Sequence, residues 1–390
     1  MNKRTMGLAA AGVVSLASTA QAEENSVLTA LSSTVISGNV EASYVGGFST
    51  NNNMHNDGGF EANGASLSIG SPLGEGDYGA GYNLELLLGA RAGAFAGDGS
   101  DQHLKNANIG LNVPFGNGID LTAGLFDTIV GYEVEASGHN PNVMRSFGYV
   151  QGPRTHTGLL AATSLTDGLS VSVGLTNGFD AATGQEGNDG SAQLGYVLGA
   201  ELTVPDSLGF LGGSTLYVGY VNGNDEGNWN NTVAVPDDPA TADVDESGTV
   251  DTYNGDDNTL LYIGASLPTP IEGLAIGVAY DDRVWETANG RTESDSVALY
   301  ATYSLSDDAS VSVRYDNGTV EFGGAEDSFD NLALTLDYSL WENVQTRLEL
   351  GWESGAGALG TQAASQFRDV YDGAPAGNSS YFALNAFYSF

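Results

Sequence analysis

Cysteine is absent from the 390 residues, which excludes a disulfide scaffold, a thiolate metal site and a thiol nucleophile. Cations are scarce: 11 Lys and Arg stand against 49 Asp and Glu. Nucleic acid is thereby excluded as a partner, because neutralising phosphates needs clustered Lys and Arg. Only four histidines occur, His55, His103, His139 and His156. None lies in a Gly-x-Ser-x-Gly or His-Glu-x-x-His setting, so nothing marks the chain as an enzyme, although a triad assembled across strands stays open. Long hydrophobic runs are also missing. Beyond residue 22 no stretch reaches the roughly 18 apolar residues that a membrane-spanning helix requires.

The chain does begin with an export signal. Lys3 and Arg4 precede the apolar run Gly7 to Leu16, and Ala20-Gln21-Ala22 supplies small residues for cleavage, so residues 1–22 are read as a removed signal peptide and 23–390 as the mature protein. Losing Lys3 and Arg4 leaves nine cations against 49 acids. That excess has two readings: a solvated surface suited to a saline habitat, or a field that attracts cations. An exported chain with neither disulfides nor spanning helices must be held by hydrogen bonds and packing, which a closed sheet provides.

The hydrophobic period along the mature chain is two, the period of a strand. From Val344 to Glu353 apolar or neutral residues alternate with charged or polar ones, and the same holds for Leu332, Leu334, Leu336, Tyr338 and Leu340, and for Tyr82, Leu84, Leu86 and Leu88. Such segments are about 10 residues long, the span of a tilted transmembrane strand, and aromatic residues recur near their ends. Sixteen are expected, near 34–46, 62–71, 78–89, 103–114, 119–127, 154–165, 169–178, 191–204, 213–223, 258–267, 273–282, 293–305, 309–317, 329–340, 344–353 and 379–390. An even number returns both termini to one side, as bacterial outer-membrane barrels require. Short links, such as Phe115 to Gly118 and Ser306 to Asp308, alternate with mostly longer ones. Two of these, near Asn224 to Asp257 and Ser354 to Asn378, are too long for a compact soluble domain but ordinary as external loops. The expected fold is therefore all-β, a single closed antiparallel transmembrane barrel with short periplasmic turns, in the outer membrane with lipid around it. The last strand places Phe382, Leu384, Ala386, Tyr388 and Phe390 on one face, which resembles the C-terminal signature of outer-membrane proteins and implies the barrel-insertion machinery as a partner.

Gly124-Leu125-Phe126-Asp127-Thr128-Ile129-Val130-Gly131-Tyr132-Glu133, followed by Asn140-Pro141-Asn142, Arg145-Ser146, Thr157-Gly158-Leu159 and Asn177-Gly178-Phe179-Asp180, resembles the OmpL-like β-barrel porin family. The resemblance implies a porin that lets small hydrophilic solutes or cations diffuse across the outer membrane. It implies no particular solute and no site residue. By analogy with sixteen-stranded porins, the third external loop, 128–153, is expected to fold into the lumen and narrow it; the other reading is an external flap. A homotrimer is the assembly expected by the same analogy. The competing functions are a non-conducting adhesin or structural barrel, and an outer-membrane hydrolase.

Six residues are candidates for the constriction. Glu133, Glu135 and Arg145 lie on the third loop, Arg154 follows it, and Arg314 and Arg347 fall on the inward sets of their strands, where a lipid-facing charge would cost about 2–4 kcal/mol. Either the loop carboxylates face these arginines across the pore and create a transverse field, or each arginine pairs with a wall carboxylate such as Glu349 or Asp337. With so few cations against so many carboxylates, inward Glu41, Glu85 and Glu349 among them, cation preference is expected. Within the long acidic loop 224–257, Asp243, Asp245, Ser247, Thr249 and Asp251, with Gly248 at the bend, follow the first nine positions of an EF-hand calcium loop. The twelfth position is Asn254 rather than Glu, so either a weakly held Ca²⁺ or a flexible acidic loop fits. No other cofactor is expected.

Overall fold

In the computed structural model, residues 33–47, 59–74, 76–182, 185–186, 194–223, 258–287, 290–322, 325–355 and 379–390 are described. The first half of the chain forms β1 (Val35–Gly47), β2 (Gly59–Ser71), β3 (Ala80–Leu88), a short helix α1 (Ala90–Ala96), β4 (Gln102–Val113), β5 (Ile119–Asp127), a second short helix α2 (Phe147–Gln151), β6 (Thr155–Thr166) and β7 (Leu169–Thr176). A small hairpin follows, β8 (Gly178–Asp180) and β9 (Gln185–Glu186), then β10 (Gly195–Thr203) and β11 (Thr215–Asn222). The second half is β12 (Asn258–Pro268), β13 (Leu274–Thr287), β14 (Gly290–Ser304), β15 (Ala309–Phe322), β16 (Ala325–Trp341), β17 (Val344–Gly355) and β18 (Ser379–Ser389).

Apart from β8 and β9, the strands join in one closed barrel of sixteen, each antiparallel to its neighbours. Closure runs between the first and last strands, from Asn39 opposite Ser389 to Gly47 opposite Tyr381. Gly38 N–H donates to the Phe390 carbonyl at 3.1 Å and Phe390 N–H returns the bond at 3.0 Å. A closed ladder leaves no edge, which is what allows strands to sit in lipid. The period-two pattern sorts the side chains: Val313, Tyr315 and Leu348 are exposed on the outside, whereas Arg314, Arg347 and Glu349, between them in sequence, are buried on the inside. Tyr303, Tyr338, Trp341 and Tyr388 stand exposed near the short-turn rim, where amphipathic rings meet the interface.

Two hairpins differ from the expected boundaries. Links near 283–292 and 318–328 read as loops, yet β13 pairs with β14 as far as Thr287 opposite Gly290, and β15 with β16 as far as Phe322 opposite Ala325. These strand ends carry Arg283, Glu321, Glu326 and Asp327, and polarity made them look like loops. Ladder hydrogen bonding does not need an apolar environment, so the strands continue past the hydrocarbon. The link after β3 contains α1, which the strand reading did not foresee. It ends where Gly97, at φ 71°, donates its N–H to the Gly93 carbonyl, the left-handed stop that glycine adopts without strain.

Candidate functional site

Residues 128–154, the connection between β5 and β6, fold inside the barrel. The first limb is apolar. Ile129 and Val130 pack with Val197, Tyr217, Leu260, Tyr262, Ala279, Ala298 and Tyr300 on the inner face of β10 to β14. Tyr132 stacks on Tyr300 at 4.1 Å. Burial, with Glu133 adding to it, raises the Tyr132 phenol to about 12, so the ring lies neutral against the wall. Gly277 makes room for it: a Cβ there would lie 2.0 Å from the Tyr132 hydroxyl.

Glu133 turns the chain. Its carboxylate accepts the Ser146 N–H at 2.7 Å and the Tyr300 hydroxyl at 3.2 Å, and it pairs with Arg314 at 3.2 Å. Arg314, on β15, also donates to Asp316 at 2.6 Å, to Asn331 at 3.2 Å and to the Met144 carbonyl. Asp316 accepts the Phe147 N–H at the start of α2. Further along the wall Glu349, on β17, accepts the N–H groups of Val143 at 2.6 Å and Met144 at 3.1 Å, the Thr335 hydroxyl at 2.7 Å and the Tyr381 hydroxyl at 3.0 Å. Arg347 donates to the Ser137 carbonyl at 2.7 Å and to Asn385 at 2.7 Å. The third loop therefore meets charged wall groups with its own backbone, and such charge-assisted bonds exceed neutral ones in strength.

Glu135 lies on the other side of the loop. It holds a two-point pair with Arg91 of α1, which also reaches Asn39 and stands 3.8 Å from Glu41 on β1. Burial opposes ionisation of Glu135, but Arg91, with Lys105 and Arg145 behind it, holds the carboxyl below the ordinary carboxylate range. Burial, with Arg91 adding to it, pushes the nearby His139 imidazole down. Arg145 stays within the loop, donating to the carbonyls of Val143 and Glu135 and lying over the Tyr149 ring. Arg154 donates to the carbonyls of Ala94 and Phe95 at the end of α1.

The structure thus brings Glu133 to Arg314 and Glu135 to Arg91, in direct buried contact. A transverse field needs these charges apart across open water, and they are not. The other expectation, that each arginine pairs with a wall carboxylate such as Glu349 or Asp337, is met at Arg314 with Asp316 on its own strand, whereas Arg347 donates to Ser137 and Asn385, Glu349 takes loop N–H groups and Asp337 accepts from Gln345. Arg91 and Lys105 were missed, the first because it lies on a helix in a link, the second because a bulge displaces it. Gln151 was missed as well: it bonds Ser294 and Ser296, and its carbonyl accepts from Arg283 at 2.6 Å. The calcium-like residues Asp243, Asp245, Ser247, Thr249 and Asp251, together with the signal peptide and His55, lie outside the described residues.

With the loop fastened to β10 through β18 and to β1, space is left on the opposite side. A cavity of about 760 Å³ runs along the inner face of β2 to β5, past Ser68, Asn83, Asn108 and Thr122, and up between Lys105 and the loop, and it is bordered as well by Ser266, Gly277 and Thr302 of β12 to β14 and by Phe387 of β18. Its ionisable lining comprises Glu85, Asp120, Asp127, Glu133, Glu135 and Asp281 against Lys105 and Arg154, with His139. Sixteen strands, an inserted third loop and a cavity beside it that carries charged groups are the parts of a porin. Residues 33–390 match the family model described as "Putative beta-barrel porin-2, OmpL-like". The chain belongs to that family of outer-membrane porins. Solved structures share the fold. The trimer form of Vibrio cholerae OmpT is 14% identical, with TM-score 0.56, covering 92% of this chain and 99% of that one. The outer-membrane channel DcaP of Acinetobacter baumannii is 10% identical, with TM-score 0.58, 92% and 97%. An anion-selective porin from Comamonas acidovorans is 13% identical, with TM-score 0.56, 92% and 99%. No curated protein matches the chain. At such identity the likeness speaks for the fold, and ionic preference must be argued from this chain's own lining.

Proposed function

We propose that this porin passes small hydrophilic solutes by passive diffusion, prefers cations to anions, and performs no catalysis. The route is the space between the third loop and the wall of β2 to β5. One observation carries the preference: five carboxylates, Glu85, Asp120, Asp127, Glu133 and Glu135, line this space against the two permanent cations Lys105 and Arg154. Glu133 and Glu135 are offset by Arg314 and Arg91, which leaves Glu85, Asp120 and Asp127 against Lys105 and Arg154. Low-dielectric walls focus such a field onto the water between them. A homotrimer completes the proposal, supported by the trimer form known for the similar Vibrio cholerae barrel. Swelling of liposomes in neutral solutes of graded size, and in size-matched ammonium and carboxylate solutes, tests this reading. Small neutral solutes should enter, and ammonium solutes should enter faster than carboxylates. Liposomes that do not swell in any solute would favour a non-conducting surface barrel.

A further inference from the structure

The ladder between β3 and β4 slips by one residue within the barrel. Glu85 is opposite Asn106 and Leu86 is opposite Leu104, so Lys105 is the extra residue of a bulge. In an unbroken strand consecutive residues face opposite sides; here Lys105 and Asn106 are both buried on the inner side. A bulge re-aims a side chain in this way. It brings the Lys105 ammonium to 2.9 Å from Glu85 and 2.8 Å from Asp127. The Asn106 amide donates to the same two carboxylates at 3.0 and 3.1 Å, while its own carbonyl oxygen is buried and has no partner. Lys105, Asn106, Glu85 and Asp127 all border the cavity, and the Asp127 side chain is 43% exposed to it.

We propose that Lys105 is a selectivity-determining residue: a tethered counter-cation filling a wall site, built from Glu85, Asp127 and Asn106, that would otherwise hold a divalent ion. The two carboxylates are hard oxygen donors of the kind that Mg²⁺ and Ca²⁺ take, and the Asn106 amide, turned over, would present its oxygen beside them. Such an ion on the route would block it, since conduction needs binding weak enough for release. The ammonium on its stem cannot leave, so the site is satisfied without a mobile ion. It reduces the local charge from two negatives to one, enough to favour small monovalent cations without trapping divalent ones. The residue works because the bulge turns it inward and because the exposed side of Asp127 lets ions approach.

This inference rests on the porin reading, and planar-bilayer recordings separate the two. Wild-type current should carry potassium over chloride and be insensitive to millimolar magnesium. Lys105→Met should raise the potassium-to-chloride permeability ratio several-fold and make the current sensitive to magnesium block; Lys105→Arg should behave as wild type. The double variant Glu85→Gln with Asp127→Asn, which keeps the ammonium and removes its partners, should shift the ratio toward chloride. An unchanged ratio in that double variant overturns the proposal even if Lys105→Met does not assemble. So does a Lys105→Met channel with wild-type ratio and no block, or a Lys105→Arg channel that behaves like Lys105→Met. A wild-type barrel that passes no current instead overturns the porin reading on which the inference stands.

Discussion

Arg314→Met should release the third loop while leaving the barrel closed. Arg314 and Glu133 are fully buried and Asp316 nearly so. Methionine keeps much of the volume but none of the charge, so two carboxylates and the Met144 carbonyl lose their shared donor. Breaking a buried pair by removing one partner costs about 3–5 kcal/mol. At about 1.4 kcal/mol for each factor of ten, the docked state of the loop should weaken by about two to four decades. The barrel is spared because residue 314 keeps its backbone partners, Tyr300 and Ala333. Hydrogen exchange and limited proteolysis of residues 128–154 read the release, and single-channel conductance should rise as the loop leaves the wall. Adding Glu133→Gln removes one stranded charge and should recover part of the protection. Unaltered exchange, proteolysis and conductance in Arg314→Met would refute the assignment of this arginine as the principal anchor.

Other expectations concern the same loop from different sides. Glu349→Gln loses a charged acceptor that takes two loop N–H groups, so loop protection should fall by about 1.5–3 kcal/mol, seen as a lower temperature at which protease cuts the segment. Gly277→Ala places a methyl where the Tyr132 hydroxyl lies. Overpacking of this kind costs about 1–3 kcal/mol, and the Tyr132–Tyr300 stack should loosen, with wild-type exchange in residues 128–135 counting against it. Acidification should undock the loop from α1. Both Glu135 and His139 have values lowered in the folded protein, so their contribution is full above their unfolded values and is lost as pH falls through the folded ones. Protection factors in 128–154 should therefore fall in two steps, below about pH 6.5 where His139 first matters and below about pH 4.3 where Glu135 does, and the second step should be missing in Glu135→Gln.

Strand-level organisation was readable because it is periodic. The alternation around Arg314 and Arg347 identified their inward faces, and the short links located the turns. What a face meets is not periodic. Arg314 finds Glu133 across 181 residues of sequence, and nothing local to either residue records that meeting. The ends of β13 to β16 were misread for a related reason: acidity there reports exposure to water and is silent on whether the ladder continues. Lys105 was hidden by its bulge, since strict alternation gives Lys105 and Asn106 opposite faces. Arg91 was hidden by α1, whose seven residues carry no strand period. The apolar packing of Ile129 and Val130 inside the barrel is likewise a long-range meeting that no local pattern records. It fills that side of the lumen and leaves the charges of β3 to β5 facing the cavity.

The central claim is that ions cross this barrel beside the third loop, in a field of excess carboxylate. The zero-current potential across a planar bilayer carrying the wild-type protein, under a potassium chloride gradient, tests it most directly. A potential with the sign of potassium preference, shrinking as ionic strength screens the lining, is the predicted result. A potential of the opposite sign, or a bilayer that stays silent, would contradict the account.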